Sequence, residues 1–410
     1  MQKIFTRFPD LKGIDIFKME LRLMRLKEKY PYDFILHYAL IYSSVACYTT
    51  FVPLYFSLKG FSKSEIGTLL AAGPAIAMMM QPVWGMLGDR AESKNGVLKV
   101  MIAGSGVAIL LYMIPADFLM SMVFVTIFVF FQGSINAMSD TISLEYLEST
   151  KWEYGPVRVA GSVGYAITSV FVGIAARKSI MNIFIMYAAI AGITFLWSKT
   201  LPIIKGHQLR ENKVRIWELK KNRKLILLSC FNLLIFTTLG YNSNFFSIYY
   251  KQMGADTLLI GICMFIQAVS EMPFLLLASS MVRRVGIEGT LILSASVTGL
   301  RWLMMYYVGS IYVVPAICVL NGMAYVVVNY CIITYINKAV PKELRASGQI
   351  LNSLIMFVGT SMVGSLIGGV LSDFVGIRQM YLYSFFVNVA AVIVFGIVFL
   401  AKSNEYRHQI

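Results

Sequence analysis

The chain has 410 residues, of which 58% are hydrophobic and only 14% charged, against about 25% charged in ordinary soluble domains. With a mean hydropathy of +0.69 and 13% aromatic residues, it lacks the polar side chains to clothe water-soluble domains of this size, which excludes a soluble enzyme. The net charge of +15 does not call for nucleic acid, because the basic residues collect at the ends of apolar segments, as the orientation of a membrane protein requires.

The first 33 residues hold Lys3, Arg7, Lys12, Lys18, Arg22, Arg25, Lys27 and Lys29. Leu11, Ile14, Phe17, Leu21 and Met24 follow helical spacing among them, which reads either as a cytoplasmic amphipathic segment lying in the membrane interface or as a poorly ordered extension. The segment lacks the apolar core and small-residue cleavage site of a signal peptide and is expected to stay on the protein. Twelve apolar stretches follow, each long enough to cross ~30 Å of hydrocarbon as a helix. They run over 34–57, 65–87, 98–116, 118–142, 157–176, 181–201, 225–250, 258–282, 289–308, 311–337, 345–372 and 380–401. A second basic cluster, eight residues from Lys205 to Lys224, fills the connection 202–224 between the sixth and seventh stretches.

The predicted organisation is an all-α integral membrane protein of two pseudo-symmetric six-helix bundles, 34–201 and 225–401, joined by the basic linker 202–224, with 402–410 as a second cytoplasmic tail. Internal repetition carries this reading: Pro53–Gly67 lies over Ser247–Gly261 without a gap, matching Tyr55 with Tyr249, Gly60 with Gly254, Ile66 with Ile260 and Gly67 with Gly261. The same offset carries Arg90 onto Arg284, and a slightly different one sets Arg158 and Gly161 against Arg345 and Gly348. Lys59, Lys63, Arg177, Lys178, Lys251 and Arg378 are the few basic residues left on the other side, so both termini are expected in the cytoplasm of a multi-pass protein of the cell membrane.

Cys47, Cys230, Cys263, Cys318 and Cys331 sit in apolar runs without zinc-site spacing and read as inert buried thiols, and His37, His207 and His408 are too few and too scattered for a metal site or a triad. No phosphate-binding glycine loop is present. The expectation is therefore a protein that is not an enzyme and that needs neither cofactor nor metal.

The run Gly85-Met86-Leu87-Gly88-Asp89-Arg90 at the end of the second stretch resembles the loop signature of the major facilitator superfamily. Ser62-Lys63-Ser64-Glu65, Gln81-Pro82 and Trp152-Glu153-Tyr154-Gly155, with Arg158, Gly161, Val163, Gly164 and Tyr165, are similar to the branch that holds lactose permease and the oligosaccharide, nucleoside and phenylpropionate proton symporters. The resemblance implies a twelve-helix secondary transporter working by alternating access. It makes Gly85, Asp89 and Arg90 a cytoplasmic gate, and Asp140, Arg158 and Tyr165 part of the solute site. Ser270-Glu271-Met272-Pro273 and Leu300-Arg301-Trp302 resemble motifs of the phenylpropionate-type members.

Four deep charges, Asp140, Arg158, Glu271 and Arg301, are costly in hydrocarbon at about 2.5–3.5 kcal/mol each if unpaired, so pairing or a shared polar cavity is expected. Asp140 with Arg158 and Glu271 with Arg301 are the candidate pairs, either as ties between helices or as ligand and proton sites. Where the branch commonly carries a histidine on the tenth helix, accompanied in lactose permease by an acid, this chain has Asn321 and Ala324. Neither titrates, so proton coupling falls to Glu271, with Arg301, or to Asp140. Tyr241, Asn242, Asn244, Asn321 and Asn329 are candidates for neutral hydrogen bonds to a polar solute.

The expected function is proton-coupled import of a small organic solute, a saccharide, nucleoside or aromatic acid, by a monomer whose partners are that solute, protons and the lipid bilayer. A drug or metabolite exporter of the same fold is the alternative, and a lipid flippase a further one.

Overall fold

The structure is a computed structural model that describes residues 30–205, 219, 222–341 and 344–407. Most of the predicted amphipathic N-terminal segment, most of the linker, and His207 and His408 lie outside the described residues.

Twelve helices are present among the described residues, and their order follows the apolar pattern. The first half contains α1 (Tyr32–Leu58), α2 (Lys63–Arg90), α3 (Lys94–Met113), α4 (Phe118–Glu148), α5 (Tyr154–Lys178) and the shorter α6 (Asn182–Trp197). The second begins with α7 (Arg223–Gln252). A continuous stretch Thr257–Tyr307 is divided by Gly286, whose φ of 76° breaks the helix, into α8 (257–285) and α9 (287–307). Then come α10 (Val314–Ala339), α11 (Ser347–Val375) and α12 (Ile377–Phe399).

Helix starts follow from side chains that satisfy the free N–H groups of a first turn. Ser62 and Glu65 form a reciprocal capping box on α2, and Asp117, Asn222 and Asp256 accept from the backbone at the starts of α4, α7 and α8. Pro74 and Pro82 lie inside α2 and Pro273 inside α8. A helix-interior proline removes a backbone hydrogen bond and favours a kink, which marks α2 and α8 as the proline-interrupted helices of the two halves.

The repeat seen in the sequence is a repeat of structure. Gly60 and Gly254 both turn the chain with positive φ, 90° and 96°, before α2 and α8. Tyr55 donates to the carbonyl of Tyr112, and its counterpart Tyr249 donates to the carbonyl of Met305 at 2.5 Å. Each phenol thereby ties the first helix of its half to the third.

Two helix pairs form the seam between the halves. Gly67 of α2 meets the backbone of Ser365 and Gly369 on α11, while Gly261 of α8 meets the backbone of Ser169 and Val170 on α5. A Cβ on either glycine would collide with a backbone carbonyl, so only glycine permits the approach. Both crossings lie toward the end of the bundle opposite the termini, the far end. There Asp373 of α11 accepts from the backbone N–H of Lys63 (2.9 Å) and Ser64 (2.8 Å), and Arg177 of α5 pairs with Asp256. Toward the near end, which carries the termini, Met78, Met79, Met86 and Leu87 of α2 and Leu275, Leu276 and Leu277 of α8 are exposed.

Candidate functional site

Between the halves, α1, α4 and α5 on one side face α8 and α10 on the other. Asp140 of α4 is half-buried, and one of its oxygens, Oδ1, accepts from the phenols of Tyr38 (2.6 Å) and Tyr154 (2.7 Å). Hydrogen bonds to a charged acceptor are worth about 1.5–3 kcal/mol each, so the two phenols supply much of what a carboxylate loses on leaving water. Arg158 lies one turn into α5 with its guanidinium 4.1 Å from the centre of the Tyr42 ring. Such stacking contributes about 0.5–2 kcal/mol and leaves the in-plane N–H groups free.

The structure does not bring the expected charge pairs together. Asp140 and Arg158 form no ion pair; Tyr38 and Tyr42, one turn apart on α1, each take one of them. Glu271 of α8 is not paired with Arg301. The cation it senses is Arg158 of the other half, and Tyr325 of α10 lies within electrostatic reach of both. Arg301 is fully buried inside the second half, where it donates to Asn321 Oδ1 at 2.8 Å and stacks on Trp302 among the thiols of Cys263 and Cys318. The reason is geometric: Glu271 and Arg301 lie on opposite sides of the Gly286 break, so helical spacing from one to the other says nothing about their faces.

Several predicted ligand groups have other partners. Tyr241 is buried against Gly368 and bonds to Ser372 Oγ (2.9 Å), and Asn242 accepts from Tyr381 (3.1 Å) in the core of the second half. Asn244 donates to Ser365 Oγ at 2.5 Å beside the far-end seal. Asn329 accepts from Asn352, which also accepts from Asn232, giving an amide chain across α7, α11 and α10. Tyr165 shares a hydrogen bond with Thr50 at 3.2 Å. Cys230 is exposed rather than buried. His37 is buried, with Nε2 3.3 Å from Ser139 Oγ.

The near-end motif forms a charge cluster within the first half. Lys94, almost wholly buried, pairs with Glu145 of α4 and lies 3.7 Å from Asp89. The glycine that allows close approach is Gly88, packed on Met138, whereas Gly85 has open space around it. Asn95 bonds to the backbone of Pro202 and Ile204, anchoring the start of the linker beside this cluster.

Unpaired charge at the seam of two repeated six-helix halves is the architecture of a membrane secondary transporter. Matching over residues 33–383 shows that the chain belongs to the MFS_1 like family, within the major facilitator superfamily. It is similar to the uncharacterized transporter YwbF of Bacillus subtilis (strain 168), 28% identical over 359 residues, covering 85% of this chain and 88% of that one. The maltose permease of Geobacillus stearothermophilus is 22% identical over 377 residues, covering 91% and 95%. Among solved structures, the nucleoside transporter NupG superposes with a TM-score of 0.80 at 18% identity, covering 90% of this chain and 98% of that one.

The sequence reading did not single out Tyr38, Tyr42, Tyr154 as a phenol donor, Tyr325, or Asp373. Only the spacing of Tyr38 and Tyr42, which places both on one face of a helix, was there to be read.

Proposed function

We propose that the protein imports a neutral, hydroxylated solute, a nucleoside or a saccharide, together with a proton. The observation that carries this is the state of Arg158 and Glu271. They come from opposite halves within electrostatic reach of each other, and neither has a hydrogen-bond or ion-pair partner at contact distance among the described residues. Two carboxylates, Asp140 and Glu271, against one available guanidinium disfavour an anionic aromatic acid. The Tyr325 ring beside polar groups suits a sugar or a base with its ribose.

With both termini cytoplasmic, as the basic clusters at 1–33 and 202–224 indicate, the far-end seal faces outward, and solute exchanges with the site between the halves from inside. Alternating access then exchanges this seal for a near-end closure in which Asp89 and the cluster around Lys94 take part. Glu271 carries the coupling proton, since Arg301 and Asn321 are occupied with each other. Asp140 and Arg158 hold the solute, and a monomer in the cell membrane suffices.

The test is uptake by purified protein in liposomes, using radiolabelled uridine, maltose and phenylpropionate with and without an inward proton gradient. Gradient-driven accumulation of uridine or maltose is expected. Accumulation of phenylpropionate alone, or uptake indifferent to the gradient, would count against the reading.

A further inference from the structure

Two opposite charges half-buried near one another in a membrane normally collapse into an ion pair, because each lacks water and the interior strengthens their attraction. Asp140 and Arg158 do not. Tyr38 is fully buried and aims its phenol at Asp140 Oδ1, while Tyr154, 3.3 Å from the Tyr38 hydroxyl, aims at the same oxygen. Asp140 Oδ2 receives no bond from a described residue. One turn further along α1, the Tyr42 ring lies nearly parallel to Tyr38 (11° between planes, 6.5 Å between centres) and covers one face of the Arg158 guanidinium.

The Tyr42 ring reaches this place because α5 carries a glycine three residues after the arginine. A Cβ at Gly161 would overlap the ring, about 3.0 Å from its Cγ. Gly161 is thus a slot in the wall of α5, and Tyr42 seated in it forms the surface on which Arg158 is laid flat. Gly164, packed on the backbone of Ala39, brings α1 and α5 close enough for the arrangement to span both.

We infer that Tyr38 and Tyr42 are positioning residues that hold Asp140 and Arg158 apart, so that the solute bridges the acceptor Oδ2 and the guanidinium edge. The inference rests on the solute site proposed above and narrows its ligand. A bridging solute presents a hydrogen-bond donor and an acceptor side by side, as vicinal hydroxyls of a ribose or hexose do. A monofunctional solute of the same size leaves one of the charges unsatisfied.

The test has two arms on protein purified in detergent. In the first, melting temperatures of Asp140→Asn, Arg158→Gln and the double variant form a cycle, in the native background and again with Tyr42→Leu. Additivity is expected in the native background. With Tyr42→Leu the pair is free to close, and non-additivity beyond about 2 °C is expected. In the second arm, binding of uridine and maltose weakens about tenfold in Tyr42→Leu but no more than about twofold in Tyr42→Phe, which keeps the ring. The 2′-deoxy and 3′-deoxy forms of uridine lose the same advantage in the unaltered protein.

Coupling already present in the native background, or equal loss in the leucine and phenylalanine variants, overturns the inference. If neither probe binds the unaltered protein, the solute assignment fails while the melting cycle still decides whether the tyrosines separate the charges. Should Tyr42→Leu not reach the membrane, Tyr38→Phe keeps a ring and removes one donor to Asp140. The same cycle in that background is expected to lose additivity, and retained additivity overturns the proposal.

Discussion

Asp373 closes the far end of the molecule by capping a helix of the other half: its carboxylate accepts from the backbone of Lys63 and Ser64 and from the Ser64 hydroxyl, at the first turn of α2. Ser62 already caps that helix from within through its box with Glu65, so the bond from Asp373 is additional. An anion at a helix start is worth about 0.3–1 kcal/mol through the dipole alone. Asp373→Asn, which keeps an acceptor but loses the charge, is expected to shift the population toward the far-end-open state by about two- to fivefold. A faster reaction of Ser365→Cys with a maleimide added from that side reads the shift; an unchanged rate removes Asp373 from the seal.

The second far-end contact adds a pH dependence. Burial by itself raises the Asp256 carboxyl, but the Leu259 N–H and the Arg177 guanidinium outweigh it and hold the group below the usual carboxylate range. A depressed folded-state pKa means that the contact with Arg177 contributes fully above the ordinary carboxylate pKa and is lost as pH falls through the depressed value. Far-end opening, read by the same labelling, should therefore increase in acid, and Asp256→Asn should flatten that part of the profile. A profile identical in the variant sinks the assignment.

The glycine crossings admit a sharper test. Because a Cβ at Gly67 or Gly261 meets a backbone carbonyl rather than a movable side chain, Gly67→Ala and Gly261→Ala cannot be relieved by a rotamer change. Each is expected to lower uptake at least about tenfold at normal membrane abundance, with the far end labelled faster. Gly85→Ala, with open space around it, should leave uptake unchanged.

Glu271→Gln should abolish accumulation against a gradient yet preserve exchange of labelled for unlabelled solute between equilibrated sides, because exchange needs no proton release. Asp140→Asn should instead weaken solute binding, since the amide keeps an oxygen for Tyr38 and Tyr154 but puts an N–H donor where the free acceptor Oδ2 stood. Full proton-driven accumulation in Glu271→Gln would move coupling to Asp140 or make the protein a uniporter.

At the near end, Lys94 is buried between two acids, and removing the closer one leaves an almost uncompensated ammonium. Glu145→Gln is expected to cost about 3 kcal/mol of stability or more, seen as a lower melting temperature. Asp89→Asn, whose carboxylate is 3.7 Å from Lys94 and partly exposed, should melt normally but turn over more slowly. Equal melting of the two variants contradicts the difference in burial that separates them.

The sequence by itself determined the spans, the two related halves and the class of protein. Span length and hydrophobicity are set locally by the thickness of hydrocarbon, and the repeat is a property of the letters: Gly60 and Gly254 share their turn, and Tyr55 and Tyr249 their bond. It also named the deep charges, because hydrocarbon makes any ionised residue conspicuous. Which charges meet was decided only by tertiary structure. Helix rotation and kinks, at Gly286 above all, set the faces on which Glu271 and Arg301 fall, and the placement of α1 gives Asp140 to Tyr38 and Arg158 to Tyr42. Pairing depends on distances across helices from distant parts of the chain, and a periodicity of 3.6 residues fixes the face of a side chain on its own helix, never the helix that face will meet.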